Sequence, residues 1–496
     1  MNSETKTKMK VVFLTPEMAP LAKTGGLADV TGALPKYLSR FPEIEVAAVM
    51  PLYREVRKKN FALEQVFPQL EARWPGQEKS FSVFEYRAEG FRVYLIDNPY
   101  YFDRDYLYGT PEGDYPDNGE RFAFFSLAAL ETLRALSFRP DIIHAHDWQS
   151  ALSFAYLRAV PGGDDFFCPT RLLFTIHNLA YQGLFPREIL ERVGLPASLF
   201  NPEDLEFYGK VNYLKAGLFY SDAISTVSPS YSREIQTPEF GCGLEGVLRK
   251  RSDRLFGILN GIDYHEWNPE TDPALSAHYS KDNPTGKSVC RMELLRRFNF
   301  PADSTWPVVG MVSRLAGQKG FDLLVKSLDE LLKKEAFLII LGTGESGIQN
   351  LLLEAQKKYP DRLGLKIAFD DRLARLIYAG SDYFLIPSRY EPCGLTQMYS
   401  LRYGTVPVVR STGGLKDTVF EFDPATLKGN GFLFEDYQPE ALVSAVSRAL
   451  AFYRREPFWS KLILNGMECD FSWEKSAAEY LHLYRRMLSW PVFRSS

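Results

Sequence analysis

Arg314 and Lys319 stand five residues apart in VSRLAGQKG, directly after the apolar run PVVGMV. Two cations at a strand end can clamp a diphosphate through charge-assisted hydrogen bonds; the alternative is two solvated side chains. Near the start of the chain Lys23 precedes Gly25 and Gly26, and a helical pattern from Leu27 to Leu34 ends near Pro35. Glycines let backbone N–H groups approach a phosphate, and a helix start adds partial positive charge. KTGG therefore reads as an anion site or as a plain turn, and the G-x-x-x-x-G-K-[ST] loop is absent. The densest cluster is RYEPCGLTQ, where the run YFLIP gives way to a Pro/Gly turn and a helix starts near Leu395. Glu391 at the strand end can hold sugar hydroxyls, and the amides of Gly394, Leu395 and Thr396 can hold a phosphate. Cys393 in this turn reads as a small buried residue, since nothing local would activate its sulfur.

Histidines occur where apolar runs end. In DIIHAHDW, His144 and His146 share one face of a strand, a spacing that metal sites use, but no third ligand is evident. Hydrogen-bonded core groups are the simpler reading, with Asp147 at the edge of a ligand site. In TIHNLAYQG, the lone His177 ends another strand, and taken alone such a histidine is more often structural than catalytic. The GTGES run at 342–346 fits a nucleotide contact or a simple turn. No G-x-S-x-G elbow, kinase signature set or H-E-x-x-H motif is present.

These clusters need a scaffold that brings strand ends together. Short runs rich in Val, Ile and Phe recur throughout: KVVFLTPE, VAAVMPLY, FRVYLIDNP, DIIHAHDW, RLLFTIHNL and DAISTVSPS, then PVVGMVSRL, AFLIILGTG, LKIAFDD, YFLIPSRYEP, TVPVVRSTGG and NGFLFED. Runs of this kind predict buried parallel strands. Helical patterns between them, such as Arg121–Leu136 and Phe321–Lys334, predict an α/β fold. The strand grammar is repeated in both halves, and Lys23-Thr-Gly-Gly-Leu is echoed by Ser411-Thr-Gly-Gly-Leu. Two Rossmann-like domains follow, residues 1–258 and 259–472, with ligands at the carboxyl ends of their strands. A helix from Trp473 to Leu488, within a closing segment 473–496, either completes the second domain or packs back on the first.

The whole chain sets outer limits. Its 496 residues are too many for one ordinary domain. Hydrophobic content of 45% and charged content of 24% suit a soluble globular protein. A formal net charge of −4 leaves no basic field to recruit nucleic acid or anionic lipid. No apolar run is long enough to span a membrane, and the polar start MNSETKTKMK has no leader character. The five cysteines are scattered and unpaired in spacing, which suits a reducing, cytoplasmic location.

Taken in order, KTGGLADV (23–30), HAHDW (144–148), TIHNLAYQG (175–183), FYGKVNYLKAGLFYSD (207–222), ILNGIDYHEWNP (258–269), SRLAGQKG (313–320), the stretch 386–418 and FSWEKSAAEYLHLYRRM cover essentially the whole chain. Together they resemble bacterial glycogen synthases and plant starch synthases, the ADP-glucose-dependent retaining glucosyltransferases. The resemblance implies a GT-B fold, two Rossmann-like domains facing a deep interdomain cleft. It implies transfer of glucose from ADP-glucose to the non-reducing end of glycogen or another α-1,4-glucan, with no metal and no cofactor.

It also implies roles for single residues. Arg314 and Lys319 would neutralise the departing diphosphate, and Lys23, Gly25 and Gly26 would contact the donor. The amides around Gly394, Leu395 and Thr396, beside Cys393, would take the distal phosphate, and Glu391 the glucose hydroxyls. His177 would stabilise the oxocarbenium charge, in part through its main-chain carbonyl. Asp147, Asn178 and Asn260 would orient sugar and acceptor, with Asp29 and Tyr108 nearby, and Phe369 would stack on adenine. Two departures from the family pattern stand out: Gln149 where a histidine is common, and the small Ala316-Gly317 pair. Rival readings are a retaining transferase that uses UDP-glucose, a pyridoxal-phosphate glucan phosphorylase and a non-catalytic glucan-binding protein. The oligomeric state is open.

Overall fold

Residues whose apolar side chains point to both faces of a strand stabilise the chain only where both faces are covered, and parallel sheets flanked by helices do this. The computed structural model describes residues 8–160 and 165–491, and the chain divides into two compact units. One unit holds the residues up to Val227, Ser232–Ile258 and the segment from Trp473 onward; the other holds Ser228–Tyr231 and Leu259–Ser472.

The first unit is built on β1 (Met9–Leu14), β2 (Ile44–Pro51), β3 (Glu64–Trp74), β4 (Gln77–Arg87), β5 (Arg92–Asp97), β6 (Ile142–His146), β7 (Arg171–Ile176), β8 (Ala223–Thr226) and β9 (Leu255–Gly257). They form one nine-stranded sheet in the order β9-β8-β7-β6-β1-β2-β5-β4-β3. All pairings are parallel except those made by β4, which is antiparallel to both β3 and β5. The β3–β4 hairpin lies outside the six runs expected in this half, because it alternates polar and apolar residues instead of running continuously apolar. The chain steps outward from β1 to β2 and β5, then returns to β1's other side with β6. The carboxyl ends of β1 and β6 therefore flank the point where strand order reverses, the usual place for a ligand in such sheets.

The helix after β1 runs from Gly26 to Leu38 and does not stop near Pro35. A proline this close to the end removes one N–H, and the buried Tyr37 and Leu38 hold the last turn against the unit. The helix Trp473–Leu488 packs on it within the same unit. Trp473, Ala477, Tyr480, Tyr484 and Met487, at helical spacing, are its buried face. Ion pairs from Arg485 to Glu43 and from Arg40 to Glu474 (2.9 Å) flank the contact.

The second unit carries β10 (Val308–Val312), β11 (Phe337–Gly342), β12 (Leu363–Ile367), β13 (Tyr383–Ile386), β14 (Val406–Arg410) and β15 (Phe432–Phe434), in the order β12-β11-β10-β13-β14-β15. Every pair is parallel. This is the doubly wound order, with its reversal between β10 and β13. The expected helix from Phe321 ends at Leu331, and Phe321, Leu324 and Leu328 press it onto a core with Met311, Ile340, Leu385 and Val408. No helix among the described residues is long and apolar enough to cross a membrane.

Candidate active site

At the reversal point of the first sheet, the segment after β1 buries a carboxylate, Glu17. It accepts hydrogen bonds from the Thr24 N–H (2.5 Å), the Thr24 hydroxyl (2.7 Å), the Gly25 N–H (3.3 Å) and the Tyr108 hydroxyl (2.8 Å). Burial pushes the Glu17 carboxyl up, against the pull of these donors. Glu17 is thus the anchor of the KTGG turn, which sequence reasoning missed; its signal was a carboxylate three residues beyond a buried strand. The turn leaves Gly25 at the start of the helix Gly26–Leu38 with no side chain capping it. A Cβ on Gly25 or Gly26 would meet nothing within 4 Å. Lys23 is half-exposed and paired with Asp29 at 2.6 Å, and burial raises the Asp29 carboxyl.

After β6, Asp147 adopts a left-handed backbone, φ +52°, held by its N–H bonding the Thr175 carbonyl at 3.0 Å. That conformation is costly for a residue other than glycine and is maintained by its surroundings. It sends the buried carboxylate to the end of β7, where the His177 N–H donates to it at 2.7 Å and the Asn178 N–H donates as well. Burial pushes the Asp147 carboxyl up to about 8. His146 Nδ1 and His177 Nε2 share a hydrogen bond of 2.9 Å. His144 bonds the Tyr484 hydroxyl through Nδ1 (2.8 Å) and Thr175 through Nε2 (2.5 Å). Burial depresses all three imidazoles, His177 to about 3. Among the described residues no group of three or more His, Cys, Asp or Glu side chains is placed to hold a metal.

At the reversal point of the second sheet, Lys319 follows β10 and Glu391 follows β13. The Lys319 ammonium donates to both Glu391 oxygens, at 2.7 and 2.9 Å, and the Ser388 hydroxyl adds a third bond at 3.0 Å. Ser388 is a second residue the motif reading did not single out. The Arg314 guanidinium is exposed and donates to the side-chain Oε1 of Gln318 at 3.4 Å. Gly413 carries φ +47°, and a Cβ there would sit 1.9 Å from the Glu391 carbonyl oxygen, so only glycine allows this loop to back Glu391. Asn260 is buried against Cys393, donating to its sulfur, and burial raises the thiol well above its ordinary value. The helix Thr396–Arg402 starts at Leu395 with no side-chain cap, so its first N–H groups, with the turn at Gly394, are not spent on a side chain. Phe369, just beyond β12, is 91% exposed. The GTGES turn packs on the Arg314 loop: the Glu345 N–H bonds the Leu315 carbonyl at 2.8 Å and the Glu345 carboxylate takes the Gly317 N–H at 3.1 Å.

Each unit therefore gathers its charged groups where its own sheet reverses. Residues 10–250 match the family model described as starch synthase catalytic domain, and residues 295–456 match glycosyl transferases group 1. A glycogen synthase of Syntrophotalea carbinolica is 46% identical over 478 residues, 96% of this chain and 99% of that protein. One from Koribacter versatilis is 48% identical, covering 96% and 98%. The chain belongs to the glycogen and starch synthase family. Among solved structures, the catalytic domain of starch synthase IV from Arabidopsis thaliana, bound to ADP and acarbose, superposes with a TM-score of 0.88. It is 34% identical, and the match covers 98% of this chain and 100% of that one. Sucrose-phosphate synthase from Thermosynechococcus elongatus, 19% identical with a TM-score of 0.60, shares the fold. The fold is GT-B, two α/β domains with parallel sheets.

The buried ionisable groups of this glycogen synthase-family chain make its stability depend on pH in two opposite ways. Asp147 keeps its proton in the folded state up to about pH 8, while the unfolded chain releases it near 3.8, so its contribution to stability falls as pH rises through that window. His177 refuses a proton down to about pH 3, while the unfolded chain binds one near 6.5, so stability falls as pH drops through that second window. Asp147→Asn removes the first effect and leaves the second. Between pH 5 and pH 8 the two effects oppose each other, so the urea midpoint at pH 8, relative to that at pH 5, is expected to be higher in the variant than in the parent; an unchanged relation would show that Asp147 is ionised in the folded state.

Proposed function

We propose that this chain transfers glucose from ADP-glucose to the non-reducing end of an α-1,4-glucan, with retention of configuration. The observation that carries the reading is the Lys319–Glu391 pair at the reversal of the second sheet, in a chain alike along nearly its whole length to proteins named glycogen synthase. The starch synthase relative bound to ADP supports adenine as the donor's base.

In this reading Arg314 and Lys319 neutralise the diphosphate as the glycosidic bond breaks. A diphosphate is a good leaving group once its charge is offset, and cations fixed in advance stabilise that charge at little reorganisation cost. Glu391 fixes Lys319 and accepts from glucose hydroxyls. The amides at Gly394, Leu395 and Thr396 take the distal phosphate, with Cys393 packed behind them. Lys23 with Gly25 and Gly26 contacts the donor, and Asp29 holds the Lys23 ammonium. Phe369 offers its exposed ring to adenine. The His177 carbonyl faces the developing positive charge, and Asp147, Asn178, Tyr108 and Asn260 orient sugar and acceptor. No carboxylate is assigned as nucleophile, so the acceptor attacks on the face from which ADP departs. We place the protein in the cytoplasm, in keeping with cysteines that form no disulfide among the described residues.

The test is transfer of labelled glucose to glycogen from ADP-glucose and from UDP-glucose in parallel, with EDTA present. ADP-glucose is expected to be the preferred donor, with EDTA without effect. Preference for UDP-glucose would overturn the donor, and transfer from neither would leave a glucan-binding protein.

A further inference from the structure

One buried ring in the first unit has a role that the charged groups do not account for. His146 ends β6, is fully buried, and stacks on Phe13 with ring centres 5.3 Å apart and planes inclined by 12°. The His144 ring also packs against it, with ring centres 4.1 Å apart. Packed against these two rings, it directs Nδ1 at His177 Nε2, 2.9 Å away. One hydrogen occupies that bond, and which ring supplies it decides what His177 offers to a ligand.

The remaining nitrogens settle the direction. His146 Nε2 is buried and has no hydrogen-bond partner among the described residues. If His177 donated from Nε2, His146 would carry its own proton on Nε2, a buried N–H with no acceptor. If His146 donates from Nδ1, its Nε2 is a bare lone pair. A buried N–H left without a partner is the rarer of the two, and its desolvation is costly. We infer that His146 is a positioning residue: it donates from Nδ1 to His177 Nε2 and so fixes His177 as the Nδ1–H tautomer. Among the described residues His177 Nδ1 has no hydrogen-bond partner, so its hydrogen is available to a sugar hydroxyl. His177 then acts as a hydrogen-bond donor on a ring whose orientation is set from behind. This rests on the proposed function only in naming a sugar as the ligand. Burial keeps both rings neutral, in agreement with one shared hydrogen.

The chain has six histidines, few enough for nitrogen NMR of protein labelled with 15N-histidine. His177→Asn and His146→Asn assign the two rings. In the parent, His177 Nε2 is expected among unprotonated ring nitrogens and Nδ1 among protonated ones. A protonated Nε2 on His177 overturns the inference, whatever reaction the protein catalyses. The kinetic arm uses His146→Asn, whose amide N–H can replace the Nδ1 donor, and His146→Leu, which cannot donate. His146→Leu is expected to lower kcat about 10- to 100-fold, the range for losing a group that orients a functional histidine. The KM for the donor should move little, and His146→Asn should recover most of kcat. Equal loss in both variants would mean that the ring fills space only, and this would overturn the positioning role. An inactive parent enzyme would refute the proposed function, while the NMR result would still decide the tautomer.

Discussion

Glu391→Ala is expected to lower kcat about 100- to 1,000-fold, the scale of losing one preorganised electrostatic group, while the fold survives. The carboxylate has two tasks in the proposed mechanism. It accepts from glucose, and it pins the Lys319 ammonium by two bonds, at 2.7 and 2.9 Å. Without it, Lys319 is free to leave the diphosphate. The effect on stability depends on which partner is removed. The Lys319 side chain is 21% exposed and can still reach water when Glu391 is gone, whereas the Glu391 side chain is 9% exposed and is left buried and unpaired when Lys319 is gone. Stranding a buried charge is the expensive direction. Lys319→Ala should therefore lose activity and also melt earlier than Glu391→Ala. Steady-state kinetics and thermal melts of both variants check this, and near-parental kcat in Glu391→Ala would remove Glu391 from the mechanism.

Gly413→Ala is expected to be as damaging, although residue 413 carries no functional group. Its φ of +47° is unfavourable for alanine, and the new Cβ would lie 1.9 Å from the Glu391 carbonyl oxygen. Backbone oxygen cannot rotate away as a side chain could, so the loop that carries Glu391 must move. The Gly414 N–H, which bonds the same oxygen at 3.1 Å, would be displaced with it. We expect a stability loss of about 1–3 kcal/mol from the strained backbone, with more from the clash, and a kcat reduced towards that of Glu391→Ala. Gly25→Ala provides the contrast. The added methyl meets nothing within 4 Å, so its melting temperature should stay close to the parent's. A Gly413→Ala protein with parental stability and kcat would show that the loop adjusts without moving Glu391.

These two glycines show where reading the chain stops. KTGGL and STGGL look like one motif used twice, and both stand at helix starts, before Gly26–Leu38 and Gly413–Thr418. The requirement for glycine differs. Gly25 is open to a ligand, whereas Gly413 is needed because Glu391 lies against it. That difference is a contact between segments more than twenty residues apart, and no local pattern encodes it.

The strands that build both sheets around their reversal points were legible, because a strand buried on both faces must be continuously apolar. The β3–β4 hairpin was not, since an edge hairpin can alternate polar and apolar residues. The positions of Lys23, Asp147, His177, Arg314, Lys319 and Glu391 at or near strand ends followed from the same pattern. What these groups do to each other did not. The burial of Glu17 under the Thr24 amide, the 2.9 Å bond between His146 and His177, and the Tyr484 hydroxyl on His144 all join residues distant in the chain. Periodicity and spacing are local properties, so they reach the continuously apolar strands and the charges that follow them. Burial, the direction of a hydrogen bond and the protonation of a carboxyl depend on which distant segments come together, and only the tertiary structure decided them.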